Sequence, residues 1–174
     1  LVTDMSELSK MQSGNFEIKL SHFDLIEEIE EIVLLVKHLC DEKQITMSVS
    51  APDYVLVSAD RVKIKQVIYN FVSNAIKHTG EKTSIDIHVT DKDGLVKVMV
   101  KDNGPGINEE ELPYIWDRYY KIDRTHVRAQ KGSGIGLNIC KEILELHQAK
   151  YGVISKLNDG TTFWFELPCV TKQL

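Results

Sequence analysis

Apolar residues recur with a helical period in four stretches of the 174-residue chain, so each stretch places its apolar side chains on one face. The four stretches are residues 1–12, 25–39, 61–79 and 137–146. Gly14 follows the first stretch as a helix end, and Asp24 and Asp60 precede the second and third as N-caps. The pattern predicts four amphipathic helices that pack into one core.

Between these helices, apolar and polar residues alternate in short runs that are typical of strands. The runs are residues 16–23, 45–49, 54–57, 84–90, 95–101, 151–156 and 161–167. The turn sequences at residues 91–94 and 158–160 predict that the last four strands form two hairpins. A turn at residues 52–53 is expected to join the second strand to the third, and residues 108–113 are predicted to form a short acidic helix.

The composition is that of a soluble globular protein, with 43% hydrophobic and 27% charged residues. The formal net charge of −5 argues against a protein that binds nucleic acid through a broad basic face. No apolar run approaches the roughly 20 residues that a membrane-spanning helix needs, so this chain is not expected to insert into a membrane. Three widely spaced cysteines show no metal-binding pattern and are expected to be reduced thiols. Because Leu1 lies within an apolar periodicity, we expect a piece of a longer protein.

Three polar residues share the helix at residues 61–79, namely Asn70, Asn74 and Lys77. Their spacing of four and then three residues places them along one strip of about 10 Å. Carboxamides supply neutral oxygens, and Mg²⁺ that also binds substrate phosphates needs only one or two protein oxygens. The strip suits a metal–phosphate site, and solvated side chains on an ordinary helix are the alternative. The acidic run at residues 27–31 is expected to be a solvated face.

Two glycine-rich stretches also have a chemical interpretation. Gly132, Gly134 and Gly136 precede a predicted helix, where free N–H groups and the helix dipole favour an anion. A flexible start of the helix is the alternative, because the spacing is neither that of a dinucleotide-binding fold nor that of a P-loop. Asp102 ends a buried strand, where its carboxylate could accept a hydrogen bond from an adenine amino group or form a turn with the glycines that follow.

The order of these motifs resembles the catalytic and ATP-binding domain of sensor histidine kinases, over roughly residues 1–168. The motifs are the N box QVIYNFVSNAIKHT, the first glycine box DNGPGI, the F box IWDRYYK, the second glycine box GSGIGL and the third glycine box GTTF. The resemblance implies the Bergerat-type fold, which type II topoisomerases and related chaperones share. That fold is an α/β (α+β) two-layer sandwich with a mixed, mostly antiparallel sheet of about five strands, helices packed on one face and a mobile ATP lid. The predicted order of strands and helices agrees with it.

The resemblance also implies roles for individual residues in binding ATP and Mg²⁺. Asn74, helped by Asn70, would hold Mg²⁺ against the phosphates, and Asp102 would bind the adenine amino group. Asn70, Lys77 and Lys121 would act in catalysis, with Lys77 meeting a phosphate and Lys121 reaching the γ-phosphate from the lid. The other nucleotide contacts would be His78, Gly104, Gly106, Ile107, Tyr120, Gly132, Gly134, Gly136, Leu137 and Thr161.

Four places depart from the usual pattern of the family, and one of them is Gln148-Ala149, which stands where a Gly pair is frequent. His78 stands where Tyr is frequent, Trp116 replaces the Phe of the F box, and Lys121 replaces Arg, which exchanges a bidentate donor for a point charge. Residues 122–131 are charged and nonperiodic, correspond to the lid, and are predicted to gain order when phosphates attract their basic side chains. The five histidines other than His78, among them His147, are expected on the surface or in strands.

By the same resemblance, residues 1–15 would end a dimerisation helix and form a hinge, residues 16–168 would be the catalytic domain, and residues 169–174 a tail. The phosphoacceptor histidine would lie on an upstream dimerisation domain outside this chain. The parent would be a homodimer anchored in the cell membrane, with this domain in the cytoplasm. The expected partners are ATP, the dimerisation domain and a response regulator receiver domain. The expected reaction transfers the γ-phosphoryl group of Mg·ATP to the histidine.

Two other functions stay open at this point. An ATPase related to topoisomerases and chaperones would use a Glu on the central helix to activate water, but Asn70 stands at that place and cannot act as a base. A nucleotide-binding interaction module without catalysis is the second alternative. Single-turnover phosphoryl transfer to an added dimerisation segment separates all three functions.

Overall fold

The structure, a computed structural model, describes residues 2–14, 16–117, 120 and 134–170. The helices in this part of the chain are α1 (Val2–Gln12), α2 (Leu25–Lys43), α3 (Arg61–His78) and α4 (Gly136–Leu146). The strands are β1 (Ser21–Asp24), β2 (Thr46–Ser50), β3 (Leu56–Ala59), β4 (Ser84–Lys92), β5 (Leu95–Asp102), β6 (Lys150–Ser155) and β7 (Thr161–Pro168). The four predicted helices are therefore confirmed.

One five-stranded sheet forms the centre of the fold, with the strand order β2-β4-β5-β7-β6. β2 runs parallel to β4, whereas the other neighbours in the sheet are antiparallel. The two predicted hairpins, β4–β5 and β6–β7, are both present. β1 and β3 form a separate two-stranded antiparallel ribbon. The mixed, mostly antiparallel sheet of about five strands is thus confirmed.

The core lies between one face of this sheet and the helices. On β5, Val96, Val98 and Val100 are buried while their neighbours are exposed or half-buried, as the period of two in a strand requires. Helix α3 turns Phe71 toward them, and the Phe71 ring stacks at 5.2 Å on the ring of Phe163 from β7. Burial of these apolar side chains supplies the main driving force for the two-layer packing.

Two aspartates cap the N-termini of the long helices α2 and α3, as predicted. The Asp24 carboxylate accepts hydrogen bonds from the backbone N–H of Ile26 and of Val55, each at 3.0 Å. The Asp60 carboxylate accepts one from Lys63 at 3.2 Å. Such caps satisfy N–H groups that the helix itself leaves unpaired, and each typically stabilises the protein by about 1 kcal/mol. Because the Asp24 cap also binds Val55, it ties the start of α2 to the segment before β3.

Two predicted segments differ from the structure. The predicted strand at residues 16–23 is shorter, because only Ser21–Asp24 pairs with a neighbour. The two strands on either side of residues 52–53 are present, but they are not partners, since β2 joins the large sheet and β3 pairs with β1. The acidic helix at residues 108–113 is replaced by a single 3-10 turn at Leu112–Tyr114. Residues 108–110 are all exposed, so no apolar face offsets the cost of starting a helix there.

The acidic run on α2 is not simply a solvated face, because Glu28 is fully buried. Its carboxylate accepts a hydrogen bond from Arg61 Nε at 2.6 Å and lies 3.1 Å from Lys65 Nζ. Lys65 also pairs with the exposed Glu31, and this pairing lowers the pKa of Glu31. A buried carboxylate needs compensating cations or hydrogen-bond donors, so these ion pairs contribute to the packing of α2 against α3. The interpretation of Glu28 as solvated is therefore wrong.

His147 is also not an ordinary surface histidine. Its Nε2 accepts a hydrogen bond from the backbone N–H of Asp60 at 2.9 Å, so the proton lies on Nδ1, which donates to the carbonyl of Ile143 at 2.7 Å. The Asp60 carboxylate accepts a further bond from the backbone N–H of Lys19 at 2.9 Å. This junction joins the end of α4, the start of α3 and the segment before β1.

Candidate functional site

The polar strip of α3 lies beside the start of α4. Asn70 and Asn74 are half-buried and Lys77 is exposed. Asn70 Nδ2 lies 3.3 Å from the carbonyl oxygen of Gly136, the first residue of α4, and 3.5 Å from the sulfur of Cys140 one turn later. The apolar residues that lie between Asn70 and Asn74 in the sequence, such as Phe71, are buried in the core instead. One face of α3 therefore builds the core, and another carries Asn70, whose amide contacts the first residue of α4.

Asp102 forms the floor of the site at the end of β5, where it is only 4% exposed. Its Oδ1 accepts hydrogen bonds from the backbone N–H of Gly104 at 2.8 Å and of Thr161 at 3.2 Å. Burial raises the pKa of the Asp102 carboxyl above its ordinary value, although the two backbone donors oppose the shift. The turn interpretation of Asp102 is confirmed by its bond to Gly104, whereas the contact of its carboxylate with an adenine amino group stays a prediction.

The first glycine box is required by the packing of the chain against itself. A Cβ at Gly104 would lie 2.6 Å from the carbonyl oxygen of His78. Gly106 has a φ of +69°, and a Cβ there would lie 1.8 Å from the carbonyl oxygen of Lys156. Neither position can hold a side chain without backbone movement. These glycines let the loop after β5 pass between the end of α3 and the β6–β7 turn.

Thr161 pairs with a second hydroxyl, that of Ser155, which the sequence analysis did not single out. Ser155 Oγ lies 2.8 Å from Thr161 Oγ1 and accepts a hydrogen bond from the backbone N–H of Ile107 at 2.8 Å. Thr161 is 6% exposed, and Ile107 is buried beside it. Ser155 and Thr161 are direct partners across the β6–β7 hairpin, so the hairpin register was the signal that could have identified Ser155.

Thr79 at the end of α3 joins the N box to the first glycine box. Its buried hydroxyl accepts a hydrogen bond from the backbone N–H of Asn103 at 3.1 Å. Asn103 in turn donates from its side chain to the carbonyl of Ser84 at 3.0 Å. His78, which precedes Thr79, is exposed at the last position of α3. The sequence analysis did not assign a role to Thr79, although it is the last residue of the N box.

The F box is anchored by its tryptophan. The Trp116 ring packs edge-on against the rings of Tyr151 at 5.0 Å and Phe163 at 5.7 Å. Its carbonyl accepts a hydrogen bond at 3.0 Å from the side chain of Asn138, a buried residue of α4 that the sequence analysis missed. Tyr120 lies 5.9 Å from the ring of Tyr114. Trp116 therefore ties the F box to β6, β7 and α4.

The second glycine box contrasts with the first in the space around it. Gly134 has a φ of +67°, and Gly136 begins α4 with the half-buried Leu137 behind it. The described atoms nearest to a Cβ at Gly136 would be those of the Asn70 amide, at 3.8 Å, which is an ordinary van der Waals distance. Gly132, Lys121 and the predicted lid at residues 122–131 lie outside the described residues.

The described ranges show neither a cluster of metal ligands nor a membrane-spanning helix. Within residues 2–14, 16–117, 120 and 134–170, no group of three or more His, Cys, Asp or Glu side chains could hold a metal ion. The described helices also include none that is long and apolar enough to cross a membrane. The cysteines that could have formed disulfides, Cys40, Cys140 and Cys169, are free thiols, as predicted.

The model of one protein family, described as histidine kinase-, DNA gyrase B-, and HSP90-like ATPase, matches residues 59–171. The chain belongs to this family. Sensor histidine kinase WalK of Bacillus subtilis (strain 168) is 31% identical to it over 176 residues, which cover 99% of the chain and 29% of WalK. The chain therefore spans less than a third of this curated relative.

Solved structures of the family have the same fold. The catalytic domain of histidine kinase ThkA, in a nucleotide-free form, matches with a TM-score of 0.77 and 33% identity over 87% of this chain and 96% of that domain. Full-length ShkA in complex with AMPPNP matches with a TM-score of 0.86 and 25% identity over 98% of this chain and 35% of ShkA. ThkA in complex with the response regulator protein TrrA matches with a TM-score of 0.75 and 28% identity over 99% of this chain and 50% of that one. The chain is the catalytic ATP-binding domain of a two-component sensor histidine kinase.

Proposed function

We propose that this domain binds Mg·ATP between α3 and the start of α4 and transfers the γ-phosphoryl group to a histidine on a dimerisation domain. The observation that carries the proposal is the contact of Asn70 with Gly136, which brings the polar strip of the N box beside the glycines of the second box. Amide oxygens, a lysine and open backbone at a helix start are the groups that a metal-bound triphosphate requires.

The base end of the nucleotide belongs over the floor at the end of β5. The described hydrogen bonds to Asp102 end on Oδ1, and we assign the adenine amino group to Oδ2. Thr161, Gly104 and Gly106 shape the floor, and Ile107 supplies an apolar surface. His78 and Tyr120 flank the nucleotide in this assignment, and Leu137 backs the phosphate end. A buried carboxylate is a strong acceptor, because little water competes for it.

The phosphate end belongs beside the strip of α3. Asn74 and Asn70 would hold the magnesium ion, since neutral amide oxygens suit a hard cation that shares its coordination with phosphates and water. The ion would neutralise part of the triphosphate charge. Lys77 binds a phosphate in this assignment, Lys121 meets the γ-phosphate, and Gly132, Gly134 and Gly136 leave room for phosphate oxygens near the N–H groups of α4.

Catalysis by this site is positioning and charge compensation. The nucleophile is the imidazole of a separate histidine, and the side chains of α3 hold the phosphates in line with it. No residue of the strip acts as a general base toward water, because Asn70 has no proton-accepting carboxylate. This favours transfer to a protein side chain over hydrolysis, the reaction of a related ATPase.

The partners follow from the relatives. ThkA has been crystallised with its response regulator TrrA, and we infer that the parent of this domain passes its phosphoryl group to a receiver domain. Residues 1–15 would connect to the dimerisation domain of a homodimer, 16–168 form the catalytic domain and 169–174 its tail. In this proposal the domain works in the cytoplasm, below a membrane-anchored sensor.

A single-turnover experiment tests the proposed reaction. The domain is mixed with a separately produced dimerisation segment of a sensor histidine kinase and with γ-labelled ATP, and the label on the segment is followed with time. Transfer that stops when the segment's acceptor histidine is replaced supports the kinase. Release of inorganic phosphate without labelled protein would favour the ATPase, and nucleotide binding without either reaction would favour the interaction module.

A further inference from the structure

Asn70 connects the two elements that the proposed site joins. Its Nδ2 lies 3.3 Å from the carbonyl oxygen of Gly136 and 3.5 Å from the sulfur of Cys140. Both partners belong to α4, whereas Asn70 belongs to α3. The amide therefore bridges the metal-binding helix and the first turn of the helix that follows the glycines.

These contacts determine which end of the amide faces the pocket. A backbone carbonyl can only accept a hydrogen bond, so the atom that Asn70 turns toward Gly136 must be its NH₂ group. The sulfur of Cys140 acts as a second acceptor one turn further along α4. With the NH₂ group hydrogen-bonded to α4, the amide oxygen is the atom of the group that is left to act as a metal ligand.

Cys140 is suited to this acceptor role because of its burial. The thiol has no exposed surface. Its S–H group faces the carbonyl oxygen of Val67 on α3 at 4.0 Å. The sulfur thus stands between a donor and an acceptor of α3, which fixes it against rotation.

We propose that Cys140 and the Gly136 carbonyl are positioning groups that hold the Asn70 amide with its oxygen toward the magnesium ion. This inference rests on the proposed function, in which Asn70 helps to bind the metal. The role of Cys140 is indirect, because it acts through Asn70 and touches neither metal nor nucleotide. Partners of this kind orient a metal ligand and raise its affinity.

The proposal has a consequence for how the site assembles. The Gly136 carbonyl belongs to the same backbone that carries the second glycine box. A shift of the first turn of α4 therefore moves the phosphate-binding loop and the Asn70 amide together. Metal binding and phosphate binding are therefore coupled, although Asn70 and Gly136 are 66 residues apart in the chain.

The test compares Cys140→Val, which removes the acceptor, with Cys140→Ser, which keeps one. Cys40→Val is the matched control, because Cys40 is a second buried cysteine, on α2 and away from the site. Calorimetry measures the affinity of a nonhydrolysable ATP analogue with Mg²⁺ and with EDTA. The ratio of the two affinities is the readout, since partial unfolding lowers both by the same factor.

We expect Cys140→Val to reduce this ratio about threefold, and Cys140→Ser and Cys40→Val to leave it unchanged. Hydrogen exchange of the Asn70 side-chain amide, followed by NMR without nucleotide, should quicken in Cys140→Val alone. A ratio and an exchange rate that are the same in Cys140→Val as in the parent would overturn the proposal. If the parent protein binds no nucleotide with Mg²⁺, the proposed function fails, and the exchange measurement still decides whether Cys140 orients the amide.

Discussion

The two glycine boxes look alike in the sequence but differ in the space that the surrounding residues leave for a side chain. In the first box, side chains at Gly104 and Gly106 would collide with backbone oxygens at 2.6 and 1.8 Å. In the second, a side chain at Gly136 would find its nearest neighbour at 3.8 Å. The chain itself requires the first pair of glycines. Gly134 has a positive φ, which favours glycine. Within the part of the chain that the structure describes, no close contact requires a glycine at Gly136, so we attribute that residue to the approach of a ligand.

The largest expected effect is the destabilisation of the fold by Gly106→Ala. Both the positive φ and the approach to Lys156 oppose a side chain, and we expect a loss of about 3 kcal/mol or more in the free energy of unfolding. Urea denaturation followed by circular dichroism measures it. Gly94→Ala is the control, because Gly94 has a φ of +77° with nothing within 4 Å and isolates the cost of the backbone conformation. Equal losses in both variants would show that the contact with Lys156 has no effect.

The second prediction concerns the choice of base. Asp102→Ala removes the carboxylate that we assign to the adenine amino group, and we expect the preference for ATP over GTP to fall by about tenfold or more. Calorimetric titration with both nucleotides measures the preference. A variant that folds and still prefers ATP as the parent does would reduce Asp102 to the turn residue that its bonds to Gly104 and Thr161 describe.

Gly136→Ala sharpens the comparison most directly. We expect its stability to be kept or slightly raised, because alanine loses less backbone entropy than glycine in a helix. The affinity for a nonhydrolysable ATP analogue should nevertheless fall about fivefold, since the added methyl occupies space meant for phosphate. Thermal unfolding and calorimetry on the same sample separate the two effects. A loss of stability comparable with that of Gly106→Ala would contradict the distinction between the boxes.

The smallest expected effect is a pH-dependent gain in stability from Asp102→Asn. Burial raises the pKa of Asp102 in the folded state, so the folded protein binds this proton more tightly than the unfolded chain. The contribution of Asp102 to stability is therefore fully present below its unfolded pKa and is lost as the pH rises through the folded pKa. Asp102→Asn should stabilise the nucleotide-free protein at neutral pH, and the gain should shrink as the pH falls to the acid range. A gain that stays constant between pH 7 and pH 3 would contradict this account.

The elements of the fold that the sequence predicted are those with strong local signals. Asp24 and Asp60 cap helices as their residue type suggests, and the turn sequences at residues 91–94 and 158–160 form hairpins. The pairing of β3 with β1 was not predictable, because the turn at residues 52–53 carries no information about distant partners. Long-range pairing is set by the core, which local patterns do not reveal.

The candidate site shows the same division. The strip on α3 follows from helical spacing alone, but its contact with α4 does not, because Asn70 and Gly136 are far apart in the chain. The burial of Glu28 was not predictable either, because the cations that pair with it, Arg61 and Lys65, belong to another helix. Ser155 was missed because its partner Thr161 became clear only with the register of the hairpin.

The central claim is that one ATP binds between α3 and α4 with the help of a magnesium ion. Titration of the whole chain with a nonhydrolysable ATP analogue, in a calorimeter, tests it with Mg²⁺ and with EDTA. The account predicts saturable binding at one site with Mg²⁺, and binding weaker by about tenfold or more when EDTA removes the metal. No binding with Mg²⁺ present, or equal affinity in both buffers, would contradict it.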